Sequence, residues 1–128
     1  MPETAATEQL IDVLTALREQ VTGVSESIIA TLDGLLVVAD ADTIHPESVA
    51  ALAAATLGLG RRMAQQTGSG ALREVITRGA GGHVVVLTIG ERALLAVKGD
   101  EGLDLPAFLR ESPRAVDQLE KLLSADVT

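Results

Sequence analysis

The sequence predicts an α+β domain, with a five-stranded antiparallel sheet and helices on both faces in the order α-β-β-α-β-β-β-α. Three observations lead to this prediction. Asp33-Gly34 separates two apolar, β-branched runs, which is a strong signal for a β-hairpin. Helical apolar patterns occur at both ends of the chain and once between two blocks of strands. The strand runs are continuously apolar, so both faces of the sheet are expected to be buried.

The composition predicts one domain built around an aliphatic core. The chain has 128 residues, which we interpret as a single domain over residues 1–128 with its core between residues 6 and 123. Apolar residues make up 47% of the chain, but the one aromatic residue is Phe108. The core is therefore expected to consist of Leu, Val, Ile and Ala. Base stacking on aromatic side chains is unavailable for recognising nucleic acid.

Charge and residue types exclude several further classes of function. The net charge of −8 argues against binding to nucleic acid or to an anionic membrane. The chain has no cysteine, and His45 and His83 lie far apart without a second ligand at metal spacing. We therefore expect no catalytic residue, no cofactor and no metal. We see neither a signal peptide nor an apolar stretch of membrane-spanning length, so the expected location is the cytoplasm.

The first half of the chain predicts a helix followed by a hairpin. Residues 4–20 carry an apolar stripe at helical spacing, and Gly23 ends that segment. Residues 24–32 and 35–39 are the predicted first and second strands. Asp33-Gly34 between them is expected to form a type I′ turn, which needs positive φ at both central residues.

The second helix, predicted over residues 46–66, is the most informative segment. Pro46 suits its first turn, and no charge occurs from Ser48 to Gly60. One side of a helical wheel holds the larger apolar residues and is expected to face the sheet: Val49, Leu52, Ala53, Thr56, Leu59, Gly60 and Met63. The opposite side holds Glu47, Ala51, Ala54, Gly58, Arg61, Arg62 and Gln65. A smooth, small-residue surface of this kind predicts a partner; tight packing inside one subunit is the alternative.

The second half predicts three strands and a final helix. Residues 72–78 alternate in polarity and carry charged side chains, which is typical of an edge strand. Residues 79–82 form a glycine-rich turn, and strands follow over 83–89 and 92–98. The last helical region covers residues 105–123 and is expected to be interrupted at Pro113, with Ser112 as a cap.

Several local motifs in this order resemble the Roadblock/dynein light-chain family, of the light chain seven type. They are Val21-Thr22-Gly23-Val24, the hairpin Asp33-Gly34-Leu35-Leu36, the Ala-rich helix from Pro46, the strand His83-Val84-Val85-Val86, and Ala93-Leu94-Leu95-Ala96-Val97. The resemblance covers residues 10–123, and the chain looks like the short, stand-alone actinobacterial members. The Pro106 and Pro113 pair departs from the pattern, because relatives run the last helix more continuously.

The resemblance implies a profilin-like sheet and two-fold dimers. In such dimers the third strands pair and the second helices lie side by side. Bacterial relatives bind Ras-like small GTPases on the face made by those helices, and some stimulate GTP hydrolysis. The implied function is a non-catalytic regulatory homodimer that binds such a GTPase; a dimeric scaffold without effect on nucleotide turnover is the alternative. The predicted partner-binding residues are Ala54, Gly58, Arg61, Arg62 and Gln65, and the predicted dimer residues are Arg73, Val75, Thr77, Ala50 and Leu57.

Other interpretations of these segments are simpler. Arg61 and Arg62 are also compatible with a solvated pair that favours the helix dipole. Residues 79–82 lack the Lys and Ser/Thr of a Walker loop and are interpreted as a turn. A small-molecule sensor is a third class of function, but the lack of aromatic and paired polar residues argues against it.

Overall fold

The computed structural model describes residues 2–127, with side chains for residues 5–124. The helices are α1 (Pro2–Gln20), α2 (Pro46–Gln66) and α3 (Leu105–Val127). The strands are β1 (Val24–Thr31), β2 (Leu36–Asp40), β3 (Glu74–Gly79), β4 (Gly82–Ile89) and β5 (Ala93–Asp100). The predicted order α-β-β-α-β-β-β-α is confirmed.

The five strands form one antiparallel sheet in the order β2-β1-β5-β4-β3. β1 and β5 are central, and each is almost entirely buried. β2 and β3 are the two edges, so the prediction of an edge strand around residues 72–78 is confirmed.

Hydrophobic layers cover both faces of the sheet, as the continuous strand runs predict. Side chains such as Ile29, Val85 and Leu95 point to one face, where they pack with α1 and α3 around Phe108 and Leu119. Alternate strand residues point to the other face and pack with α2: Ile28, Ala30, Val86, Leu94 and Ala96. The period-two alternation of each strand therefore divides the core into two layers.

The β1–β2 hairpin is confirmed, but its turn differs from the predicted type I′. Within this turn, only Gly34 has a positive φ, at 94°, because every described residue with a positive φ is a glycine. The Gly34 N–H donates to the Thr31 carbonyl at 3.0 Å, and the Thr31 N–H donates to the Leu35 carbonyl at 2.8 Å. This is a three-residue loop that places glycine in the left-handed position, so a single positive φ is sufficient.

The predicted interruption of the last helix at Pro113 is wrong. α3 is continuous over Leu105–Val127, and Pro113 lies inside it with its ring on the exposed side. Pro106 falls in the first turn, where a missing N–H costs no helical hydrogen bond. Burial of Phe108, Ala115 and Leu119 on both sides of Pro113 holds the helix together across the proline.

Candidate functional site

Helix α2 packs on the sheet through small residues, which corrects the predicted orientation. Its buried residues are Ala50, Ala53 and Leu57. Leu52, Leu59 and Met63 were expected to face the sheet, but each is 67% exposed. The helix is therefore rotated so that its larger apolar residues point outward.

Close approach of helix and sheet explains this rotation. Ala50 and Ala53 lie over the bulky strand residues of the α2 layer, among them Ile28 and Leu94. A Cβ atom added to Gly60 would lie 2.7 Å from Val75 Cγ2 and 3.1 Å from Leu72 Cδ2, so only glycine fits there without a shift. Ala53 and Gly60 face the sheet as expected, whereas Gly58, on the surface for which internal packing was the alternative, is exposed. The useful signal was the spacing of Ala50, Ala53, Leu57 and Gly60, which lie on one helical stripe.

The outward side of α2 carries an apolar stripe, which we call the apolar flank. It consists of Leu52, Thr56, Leu59 and Met63, spaced at i, i+4, i+7 and i+11. The Thr56 hydroxyl donates to the Leu52 carbonyl at 2.8 Å, so it is occupied within the helix. Three large apolar side chains exposed in one row are typical of an interaction surface. The exposure of these three side chains was not predicted from the sequence.

The other side of α2, which we call the small-residue flank, contains the predicted partner residues. Gly58 is exposed, and a Cβ added there would meet nothing within 4 Å. Arg61, Arg62 and Gln65 are exposed as well. Ala54 is half-buried, and a Cβ added to Gly34 would lie 3.6 Å from Ala54 Cβ. Ala54 therefore packs toward the β1–β2 turn, contrary to the expectation that it points away from the sheet.

The predicted dimer residues fall into two groups. Ala50 and Leu57 are 0% and 2% exposed and belong to the α2 layer of the core, so they are not surface residues. Arg73, Val75 and Thr77 lie on or beside the edge strand β3. Their register opposite β4 puts Val75 and Thr77 on the α2 face, because they pair with Val86 and Val84 of that layer.

The two edges of the sheet differ. β2 carries a register shift at Val37, between the pairs Ile29–Val38 and Ala30–Leu36. Asp40 at the end of β2 forms a 2.8 Å ion pair with Arg18 of α1. β3 pairs with β4 without a shift from Glu74 to Gly79. Bulges discourage edge-to-edge pairing, so β3 is the edge better suited to extend the sheet.

A buried carboxylate fixes the loop that leads into α2. Glu26 on β1 accepts hydrogen bonds from the N–H groups of Asp42 at 2.5 Å, Thr43 at 2.6 Å and Ile44 at 3.2 Å. It also accepts from the Thr43 hydroxyl at 2.5 Å and from Lys98 Nζ at 3.3 Å. Burial alone raises the pKa of Glu26, but the Thr43 hydroxyl and the backbone donors outweigh burial and lower the pKa to about 2.

The start of α2 is defined by His45, which is its N-cap. His45 Nδ1 accepts from the Ser48 N–H at 3.4 Å, and Pro46 occupies the first turn. His83 begins β4 and is half-buried. Among the described residues, no group of three or more His, Asp or Glu side chains could hold a metal ion.

A cleft of about 650 Å³ lies where the β4–β5 turn meets α3. Its lining mixes the apolar Val37, Ile89 and Leu123 with the charged Glu91, Arg92 and Glu120. Glu120 reaches the β4–β5 turn, because a Cβ added to Gly90 would lie 2.6 Å from Glu120 Oε2. None of the predicted partner or dimer residues lines this cleft.

Comparison with known proteins places this architecture in a family. The family model of the Roadblock/LC7 domain matches residues 10–99. The chain belongs to the Roadblock/LC7 family. The surface described above is therefore the α2 face and the β3 edge of a Roadblock domain. None of the three described helices has the length and apolar content that crossing a membrane requires.

Solved structures share the fold of this Roadblock domain. A Roadblock/LC7 domain from Streptomyces avermitilis is 24% identical with a TM-score of 0.81, over 88% of this chain and 95% of that one. MglB of Myxococcus xanthus is 20% identical with a TM-score of 0.81, over 93% and 90%. The gliding protein MglB of Thermus thermophilus is 20% identical with a TM-score of 0.79, over 92% and 90%. No curated protein matches the chain.

Proposed function

We propose that this Roadblock domain is a non-catalytic homodimer that binds a Ras-like small GTPase and stimulates its GTP hydrolysis. The observation that carries the proposal is the apolar flank of α2, where Leu52, Leu59 and Met63 are each 67% exposed. A second copy of the chain covers this flank and the edge of β3 in one two-fold interface.

The position of the apolar flank supports this dimer. Ala51 and Ala54 on the opposite side of α2 face the β1–β2 turn, since a Cβ at Gly34 would lie 3.3 Å from Ala51 Cα. The apolar flank points away from that turn, toward the side of the sheet where β3 is the edge. Pairing β3 with its copy satisfies the outward backbone groups of both strands and brings the two α2 helices together. The dimer residues that we propose are Leu52, Leu59, Met63, Arg73, Val75 and Thr77.

The small-residue flank then remains for the GTPase. Gly58 lets another backbone approach the helix, because the space beyond it is open. Arg61, Arg62 and Gln65 follow on exposed positions and supply charged and amide groups at the rim. Bacterial Roadblock proteins that bind Ras-like GTPases provide the analogy for the partner.

The test is GTP turnover by Ras-like GTPases of the same genome, each measured alone and with the dimer. The proposal predicts faster phosphate release with the parent protein. Gly58→Arg should abolish both binding and stimulation, while circular dichroism shows an unchanged fold, because the new side chain extends into open space. Gly58→Ala is the matched control and should retain both.

Three other outcomes decide against parts of the proposal. Binding without a change in turnover would replace it with the alternative function, a dimeric scaffold. A lack of binding to every Ras-like GTPase of the genome would overturn the choice of partner. If a folded Gly58→Arg protein still stimulates GTP hydrolysis, the GTPase binds a surface other than the small-residue flank.

A further inference from the structure

The charges of this chain are unevenly distributed. The whole chain has 10 basic and 18 acidic residues. The segment from Ser48 to Gly82, which contains most of α2 and all of β3, has four of those basic residues and one of the acidic residues, Glu74. The rest of the protein is therefore strongly acidic, whereas this segment is basic.

The fold separates these charges further. On β3, Glu74 and Arg78 pair with Leu87 and His83, which places them on the α1/α3 face of the sheet. Arg61 and Arg62 are exposed near the end of α2. Between Ser48 and Gly82, the outward side of α2 thus carries two arginines and no carboxylate.

These two arginines are not neutralised within the subunit. The ion pairs among the described side chains are Arg18–Asp40, Lys98–Glu26 and Lys121–Asp117, and none involves Arg61 or Arg62.

We infer that Arg61 and Arg62 bind a carboxylate-rich surface of a protein partner. The inference deepens the proposed function, and it rests on that proposal for the partner being a protein. Arginine forms paired hydrogen bonds with carboxylates, which fixes orientation as well as attraction. An acidic patch on the partner, next to a residue that contacts Gly58, is the chemistry that this surface recognises.

The surroundings of the arginines favour a protein over a nucleic acid or a phospholipid. The net charge of −8 repels polyanions outside this one face. No aromatic side chain is available to stack on bases, because Phe108 is buried on the other face of the sheet. Gly58 and the exposed Ala55 between the flanks offer close backbone and methyl contacts, which are typical of protein interfaces.

The test is fluorescence anisotropy with a labelled helical peptide that carries Glu and Leu on one face. Single-stranded DNA of equal charge is the second probe, and both are titrated at low and high NaCl. The inference predicts that the peptide binds and that its affinity falls as NaCl is added. The DNA should bind more weakly than the peptide. Arg61→Glu/Arg62→Glu should weaken peptide binding at least tenfold at low salt, a loss of about 1.4 kcal/mol.

The matched control is Arg110→Glu/Arg114→Glu. Both residues are exposed on α3, across the sheet, and the change in net charge is the same. This control should bind the peptide like the parent protein. Three results would each overturn the inference. They are equal weakening by both double variants, unchanged peptide binding by Arg61→Glu/Arg62→Glu, and tighter binding to DNA than to the peptide. The anisotropy experiment contains no GTPase, so its outcome is independent of the outcome of the turnover assay.

Discussion

Glu26 Oε2 accepts a hydrogen bond from the Thr43 hydroxyl at 2.5 Å, so a buried carboxylate of β1 holds the loop that starts α2. The same carboxylate accepts hydrogen bonds from three backbone N–H groups of that loop. The loop decides where α2 begins, and the rotation of α2 decides which residues reach the surface. Glu26 therefore fixes the start of the helix that carries the proposed interaction surface, without being part of that surface.

The first prediction is that Glu26→Gln lowers the free energy of unfolding by about 2 kcal/mol. The amide keeps one acceptor but turns N–H groups toward the N–H donors of the loop, and hydrogen bonds to a charged acceptor are lost. Urea unfolding measures the change. Asp42→Asn is a control in the same loop, because only its backbone N–H, and not its side chain, contacts Glu26. Equal stability of Glu26→Gln and the parent protein would contradict this role.

The second prediction concerns acid. The pKa of Glu26 is lowered from 4.5 to about 2 in the folded chain, so its contribution to stability is complete above pH 4.5. That contribution declines as the pH falls from 4.5 toward 2, where the folded carboxylate takes up its proton. The difference in unfolding free energy between the parent and Glu26→Gln should therefore shrink over this interval. A difference that grows as the pH falls would be inconsistent with the lowered pKa.

The third prediction separates two glycines of α2. Alanine favours a helix interior over glycine by about 1 kcal/mol. Gly58→Ala should gain most of that value, since its Cβ enters open space. Gly60→Ala should gain less or lose stability, because its Cβ would lie 2.7 Å from Val75 Cγ2. Thermal unfolding of the two variants at one protein concentration measures the difference; a more stable Gly60→Ala would show that α2 lies farther from β3.

The fourth prediction compares the two edge strands. Ile76 on β3 and Val37 on β2 are similarly exposed, at 39% and 41%. A lysine on an edge strand discourages pairing with another strand. Ile76→Lys should therefore raise the dimer dissociation constant at least tenfold, whereas Val37→Lys should leave it unchanged. Analytical ultracentrifugation distinguishes them, and equal effects at both edges would remove the argument for β3.

Much of the fold could be predicted from the sequence because local signals determined it. Asp33-Gly34 between apolar runs predicted the hairpin, and continuous apolar strands predicted burial on both faces. The type of turn could not be predicted, because one glycine fits two turn geometries. The continuity of α3 through Pro113 depends on the tertiary burial of Phe108 and Leu119, which no local pattern reports.

The orientation of α2 was the part that the sequence could not decide. On its wheel, Ala53 and Gly60 separate the large apolar residues from Ala50 and Leu57, so either side of them could face a sheet. The close approach of helix and sheet selects the side with Ala50 and Leu57, which pack on strand residues of the α2 layer. For this reason Ala50 and Leu57 were wrongly placed on the surface, while Leu59 and Met63 were missed.

The most direct test of the account is the mass of Leu59→Arg in solution at tens of micromolar, measured by sedimentation equilibrium beside the parent protein and Gly58→Arg. The two substitutions introduce the same side chain at adjacent positions on opposite flanks of α2. We predict that the parent and Gly58→Arg are dimers, and that Leu59→Arg is a folded monomer. A monomeric parent protein, or a Leu59→Arg protein that remains a dimer, would contradict the claim that the apolar flank of α2 forms the two-fold interface.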